Sequence, residues 1–171
     1  MKKYLSVIIV LFLSSCGSNK MTTSSIETII NSQSFIINKP DNWRPFIDHG
    51  NISYTPLKIG VNMFNNSVTI LQYSLKEKPS SLKKFAVSQI NQANNTLNIK
   101  SQEAESIEGS QLGDIYVHKA EAIWNDIKYK MYTVYFEYNG EYYVYDYSSI
   151  VNEYDSHYEE AMSILLSIKF K

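Results

Sequence analysis

A single cysteine among 171 residues excludes an internal disulfide and any cysteine-rich zinc site. Six glycines leave little material for a phosphate-cradling loop, and no G-x-S-x-G elbow, S-x-x-K box, P-loop or dinucleotide fingerprint occurs. Excess charge is also missing. The 16 basic residues face 17 acidic ones, without the basic surplus that a nucleic-acid binder uses to neutralise phosphates. His49, His118 and His157 are the three histidines, and none has a second histidine or a carboxylate at a zinc spacing. What is present is the length of one ordinary domain, with 44% hydrophobic and 13% aromatic residues, enough for a sizeable core.

The cysteine acquires a meaning from its neighbours. Lys2 and Lys3 are followed by an almost wholly apolar run from Leu5 to Leu13, then by Ser14, Ser15 and Cys16. That run is too short to cross a hydrocarbon core as a helix, which takes about 20 residues, and it has the layout of a secretion signal. Leu13-Ser14-Ser15-Cys16 resembles the lipobox of bacterial lipoproteins. The resemblance implies cleavage before Cys16 and acylation of its sulfur, a reaction suited to a thiolate nucleophile. Two or three acyl chains, at about 0.8 kcal/mol per buried methylene, anchor a protein stably where one is marginal. Loss of Lys2 and Lys3 leaves the mature chain mildly acidic, which argues against a polybasic membrane surface. Gly17 stands where an aspartate would favour inner-membrane retention by resemblance to proteobacterial sorting, so a Gram-negative source implies the outer membrane, facing the periplasm.

Residues 16–33, rich in Ser, Thr and Asn, read as the lipidated cysteine and a flexible tether, with a short helix over Ser25 to Asn31 suggested by Ile26, Ile29 and Ile30. A domain over 34–171 follows. Strands are expected at Ser34 to Asn38, Ile52 to Thr55 and Ser67 to Ser74. Leu82, Phe85, Ala86, Ile90 and Ala93 form the apolar stripe of a helix from Ser80 to Ala93, ended by Asn94-Asn95. After a weaker strand from Leu97 to Glu108, Ile115 to Trp124, Ile127 to Tyr138 and Glu141 to Ser149 form an antiparallel meander. Its two-residue turns are Asn125-Asp126 and Asn139-Gly140. A last helix is expected from Ser156 to Leu166, with Ser156 and Glu159 as a capping box.

The order of these pieces resembles the PsbP-like superfamily. The opening FIINKPDNW, the Tyr-rich meander and the closing LLSIKF place Phe35, Pro40, Trp43, Ser167 and Phe170 at the pattern positions. The resemblance implies an α+β fold, an α/β/α sandwich around a central antiparallel sheet, and relatives that are mostly non-enzymatic. It brings no catalytic residues with it, and fold alone does not transfer function.

Three acidic groupings, Glu103 with Glu105, Glu159 with Glu160, and Asp146 near Glu153 and Asp155, are read as solvated faces and a charged helix start rather than as paired catalytic acids. His118 is read as a satisfied sheet histidine, His49 as part of a turn and His157 as a solvated residue in a first helical turn. The fourteen tyrosines are the compositional surplus, seven of them between Tyr132 and Tyr147. They admit two readings: β-propensity with a partly wet core, or an aromatic platform for protein, glycan or apolar ligand. Tyr132, Tyr138, Tyr143, Tyr145 and Tyr147 are the candidate binding surface, and Cys16 is the lipid attachment site. The functional expectation is a lipid-anchored cell-envelope protein that binds an envelope protein partner without catalysis, metal or cofactor. A carrier or sensor of a small apolar ligand is the alternative, ahead of a cryptic hydrolase using His118 and the acids.

Overall fold

The computed structural model describes residues 11–12, 23–30, 33–48, 51–57, 66–73, 75 and 77–170. Cys16 and His49 lie outside them. Period-two alternation from Gly113 to Ile150 folds into three long strands, β8 (Gly113–Trp124), β9 (Ile127–Tyr138) and β10 (Glu141–Ile150). Both connecting turns hold positive φ at each central residue: Asn125 49° and Asp126 63°, then Asn139 50° and Gly140 73°. This type I′ geometry matches the right-handed strand twist and fixes the register.

The meander is the centre of a seven-stranded antiparallel sheet, completed by β4 (Trp43–Asp48), β5 (Asn51–Pro56), β6 (Asn66–Tyr73) and β7 (Asn98–Ser110) in the order β4-β5-β6-β10-β9-β8-β7. β7 is exposed almost throughout, as expected of the polar strand, and its two register irregularities and acidic side chains blunt the sheet edge. A smaller sheet, in the order β1-β2-β3-β11, contains β1 (Leu11–Phe12), β2 (Thr23–Ile30), β3 (Gln33–Pro40) and β11 (Lys169–Phe170).

Helix α1 (Leu82–Thr96) covers one face of the large sheet and α2 (Val151–Leu166) the other. On the α2 side, Val134, Phe136, Tyr143, Tyr145 and Tyr147 pack against Ala161, Ile164 and Leu165, and Phe35 and Ile37 of the small sheet close the core. On the α1 side, Phe85, Ala86 and Ile90 pack on Tyr116, Tyr135, Tyr142 and Val144, with the Phe85 and Tyr142 rings stacked at 4.5 Å.

The residues of the family pattern lock these layers together. Trp43 Nε1 donates to Glu160 Oε2 at 2.8 Å and ties β4 to α2. Ser167 Oγ accepts from the Asn38 backbone N–H at 2.7 Å, pinning the end of α2 to β3. Phe170 meets the Phe35 ring at 5.8 Å and stacks on Tyr138 at 3.9 Å.

Five elements depart from the sequence reading. Leu11–Phe12, inside the run read as a secretion signal, pairs with Ser25 and Ile26 as β1. Thr23–Ile30 is a strand paired with β3 along its length, not a helix or part of a loose tether. A helix of two turns is unstable alone, whereas a neighbouring strand supplies backbone partners. Trp43–Asp48 is a strand despite Pro45, which an edge strand tolerates because one row of its backbone groups needs no partner. α1 continues through Asn94 and Asn95 to Thr96, whose hydroxyl donates to Gln92 O at 3.1 Å. α2 begins at Val151 directly after β10, so Ser156 and Glu159 are interior and form no capping box. Tyr154 and Tyr158 pack with Tyr147, which favours the earlier start.

Candidate functional site

Two hairpin turns of fixed length bring His118, Thr133 and Asp146 side by side. His118 is seven residues before Asn125 and Thr133 seven after Asp126; Thr133 is six before Asn139 and Asp146 six after Gly140. The observed pairs are His118 with Thr133, Thr133 with Asp146, Asp146 with Thr69, and Thr69 with Ser53. Directly opposite residues share a face, so these five form a polar row across the sheet beneath α1. Thr133 Oγ1 donates to Asp146 Oδ1 at 2.7 Å, and Ser148 Oγ donates to Asp146 Oδ2. Ser53 and Thr69 hydroxyls bond each other at 2.7 Å. His118 Nε2–H donates to Gln102 Oε1 at 3.1 Å.

Above this row the helix leaves a gap. Early turns of α1 carry Phe85 and Ala86, which reach the sheet; toward its C-terminal end Gln89, Gln92, Ala93 and Thr96 line the space instead of filling it. The cleft has a volume of about 600 Å³, within the ordinary range of small-molecule sites. Leu71, Tyr73, Val144, Met131, Tyr135, Tyr129, Ala122 and Trp124 form its apolar walls, and Thr69, His118, Thr133, Asp146 and Ser148 its polar floor.

Burial sets the electrostatics. It raises the Asp146 carboxyl above its usual range, against the hydrogen bonds from Ser148 and Thr133 and the influence of His118. Burial also lowers the His118 imidazole and so favours the neutral ring, while Asp146 acts in the opposite direction. The Tyr73 and Tyr135 phenols are pushed up by burial first and by Asp146 second. The floor is therefore one carboxylate held by two hydroxyl donors, beside a histidine whose N–H points to an amide. Among the described residues no hydroxyl is hydrogen-bonded to His118, as a nucleophile would be to its base.

The proposed tyrosine surface is not a surface. Tyr143, Tyr145 and Tyr147 are fully buried under α2. Tyr145 donates to Ala161 O at 2.6 Å and Tyr147 to Tyr154 O at 2.8 Å, so their hydroxyls are spent on helix carbonyls. Tyr143 is pushed up to about 12 by burial and then by Glu141. Tyr132 and Tyr138 are half-buried against Tyr158 and Phe170. An α-helix laid on that face converts the aromatic stripe into core. The tyrosines that face the cleft are Tyr73, Tyr129 and Tyr135, on the opposite side of the sheet.

The acidic groupings separate as well. Glu103 and Glu105 are exposed around Lys119, at 3.0 and 3.9 Å. Glu160 is held by Trp43, by Asn42 Nδ2 at 3.0 Å and by His157 Nδ1 at 3.2 Å. His157 is accordingly an interior helical residue with its ring edge against Trp43, not a solvated first-turn residue. Asp146 faces the α1 cleft while Glu153 and Asp155 belong to α2 on the other side, so that grouping does not exist in space. His118 is the satisfied sheet histidine expected, and it also lines the cleft. Thr133, Thr69 and Ser148 are floor residues that sequence reading missed, and Asp146, grouped there with Glu153 and Asp155, belongs with them instead. The available signal was the acid in the middle of the aromatic strand YYVYDYSS, combined with the turn register that sets it against Thr133 and His118.

No protein-family model matches the chain, and no curated protein is similar to it in sequence. Solved structures are similar in fold. CyanoP, the cyanobacterial PsbP of Synechocystis sp. PCC 6803, superposes with a TM-score of 0.59 at 11% identity, covering 93% of this chain and 99% of that one. The fold is PsbP-like. LpqN of Mycobacterium tuberculosis, described as involved in cell envelope biogenesis, gives 0.56 at 13% identity over 87% of this chain and 91% of its own. PA94 of Pseudomonas aeruginosa, a protein of unknown function, gives 0.54 at 8% identity over 84% and 94%. At these identities the likeness concerns the PsbP-like fold and not the cleft.

Proposed function

We propose that this chain is a lipid-anchored cell-envelope protein whose PsbP-like domain binds a small, mainly apolar ligand in the α1 cleft without catalysis. The observation that carries the reading is the 600 Å³ cleft with its apolar walls and short polar floor. The envelope assignment draws on the signal and lipobox preceding Cys16, and on the structural likeness to LpqN. Among the described residues no helix is long and apolar enough to cross a membrane, and the acyl chains on Cys16 are the proposed attachment. Trp124 and Ile127, 50% and 43% exposed beside the β8–β9 turn, favour docking of an envelope protein partner as a second reading.

Native mass spectrometry of the protein extracted from membranes tests both parts. The mature chain should carry the mass of its acyl groups, plus a smaller molecule released on denaturation. Cys16→Ala should leave unacylated precursor. A mature wild-type chain with a free Cys16 thiol would defeat the anchor, and a preparation that neither carries nor takes up a small molecule would defeat the ligand reading.

A further inference from the structure

The charges around the cleft limit what it can hold. Among the described residues that line it, Asp146 is the one acidic side chain, and none is lysine or arginine. An anionic headgroup would meet the Asp146 carboxyl with no lysine or arginine among the described lining residues to balance it, an arrangement that low-dielectric surroundings penalise. Each carboxylate oxygen has two acceptor sites. The Thr133 and Ser148 hydroxyls occupy one site on each oxygen, leaving capacity for a further donor from the cleft. The walls supply the second element of cation recognition, the aromatic rings of Tyr73, Tyr129, Tyr135 and Trp124. Aromatic faces attract an ammonium group, more strongly when solvent is excluded.

Resting on the reading of the cleft as a ligand pocket, we infer that its ligand is an organic amine, with an ammonium head on Asp146 and an apolar body against the aromatic walls. A bound cation would also favour the ionised carboxylate, offsetting the burial that now disfavours it. Two further polar groups of the floor are already engaged. Thr69 already shares its hydroxyl with Ser53, and the His118 N–H points to Gln102.

Three probes of matched size separate charge from shape: 4-phenylbutylamine, 4-phenylbutanol and 4-phenylbutyrate. They are titrated calorimetrically into the mature acylated protein in phosphatidylcholine nanodiscs, with empty nanodiscs subtracted. The amine should bind at least tenfold more tightly than the alcohol, and the butyrate should not bind measurably. Asp146→Asn should bring the amine within threefold of the alcohol, and a far-ultraviolet circular dichroism spectrum matching the wild type reports that the variant is folded. If the alcohol or the butyrate binds as tightly as the amine, the charge assignment is overturned while the pocket stands. Retention of the amine preference in Asp146→Asn overturns it equally. Silence from all three probes overturns the assignment and the ligand pocket together. Should Asp146→Asn fail to fold, the ranking of the three probes on the wild-type protein decides the matter.

Discussion

Glu160 concentrates more of the fold in one side chain than any residue of the cleft. Its carboxylate accepts from Trp43 Nε1, Asn42 Nδ2 and His157, which joins β4, the turn before it and α2. Burial alone would raise this carboxyl, but the three hydrogen bonds outweigh it and hold the group below the usual carboxylate range. A folded-state value below the unfolded one means that the stabilisation is present above the unfolded value and disappears as pH falls through the folded one. Glu160→Gln leaves one carbonyl oxygen for several donors. It should lose about 1–2 kcal/mol at pH 7. Urea unfolding at pH 7 and at pH 3.5 checks the sign: the gap between wild type and variant should narrow in acid, and a gap independent of pH would reject the account. The importance of Trp43 was legible as a pattern position in the sequence. Its partner was not, because 117 residues separate the two and no local spacing connects them.

Element boundaries follow the strength of local signals. The meander was readable almost to the residue, because Asn-Gly and Asn-Asp turns impose positive φ and alternation then assigns both faces. The start of α2 was misplaced because Ser156 and Glu159 mimic a capping box, while tertiary packing of Tyr154 and Tyr158 starts the helix five residues earlier. β2 was missed for a related reason: three isoleucines at helical spacing outweighed a strand whose support comes from β3. The two meander turns also differ in a testable way. Gly140 occupies its position at φ 73° at no steric cost, whereas Asp126 holds 63° with a side chain. Gly140→Ala should cost about 1 kcal/mol from the left-handed backbone, since its Cβ would meet only the Lys78 Nζ at an ordinary 3.5 Å. Asp126→Gly should be neutral or stabilising by about 0.5 kcal/mol. Thermal melts of the pair test whether turn conformation limits the meander, and equal destabilisation by both changes would show that it does not.

Across the whole molecule, one sheet has two unequal faces. The α2 face is a filled aromatic core closed by the small sheet, with Val134, Phe136, Tyr143, Tyr145 and Tyr147 without exposed area. The α1 face is filled only where Phe85 and Ile90 reach it, and open where Gln89, Gln92, Ala93 and Thr96 do not. Sequence alternation revealed that the tyrosines divide between faces, but not which face is covered, because coverage depends on where each helix lies. The asymmetry predicts opposite responses to changes of volume. Val134→Ala removes two methyl groups from a filled core and should cost about 2 kcal/mol, since the surroundings collapse only in part. Ala122→Leu adds three carbons at the wall of an open cleft. It should leave stability within about 0.5 kcal/mol, well short of the 1–3 kcal/mol of a genuine overpacking, while abolishing any small-molecule binding. Denaturant unfolding of both variants, with native mass spectrometry of Ala122→Leu, reads the two effects separately. If Ala122→Leu is as destabilising as a core insertion, the α1 face is packed rather than open and the cleft is no binding site. If it is stable and still carries the ligand, the ligand resides elsewhere.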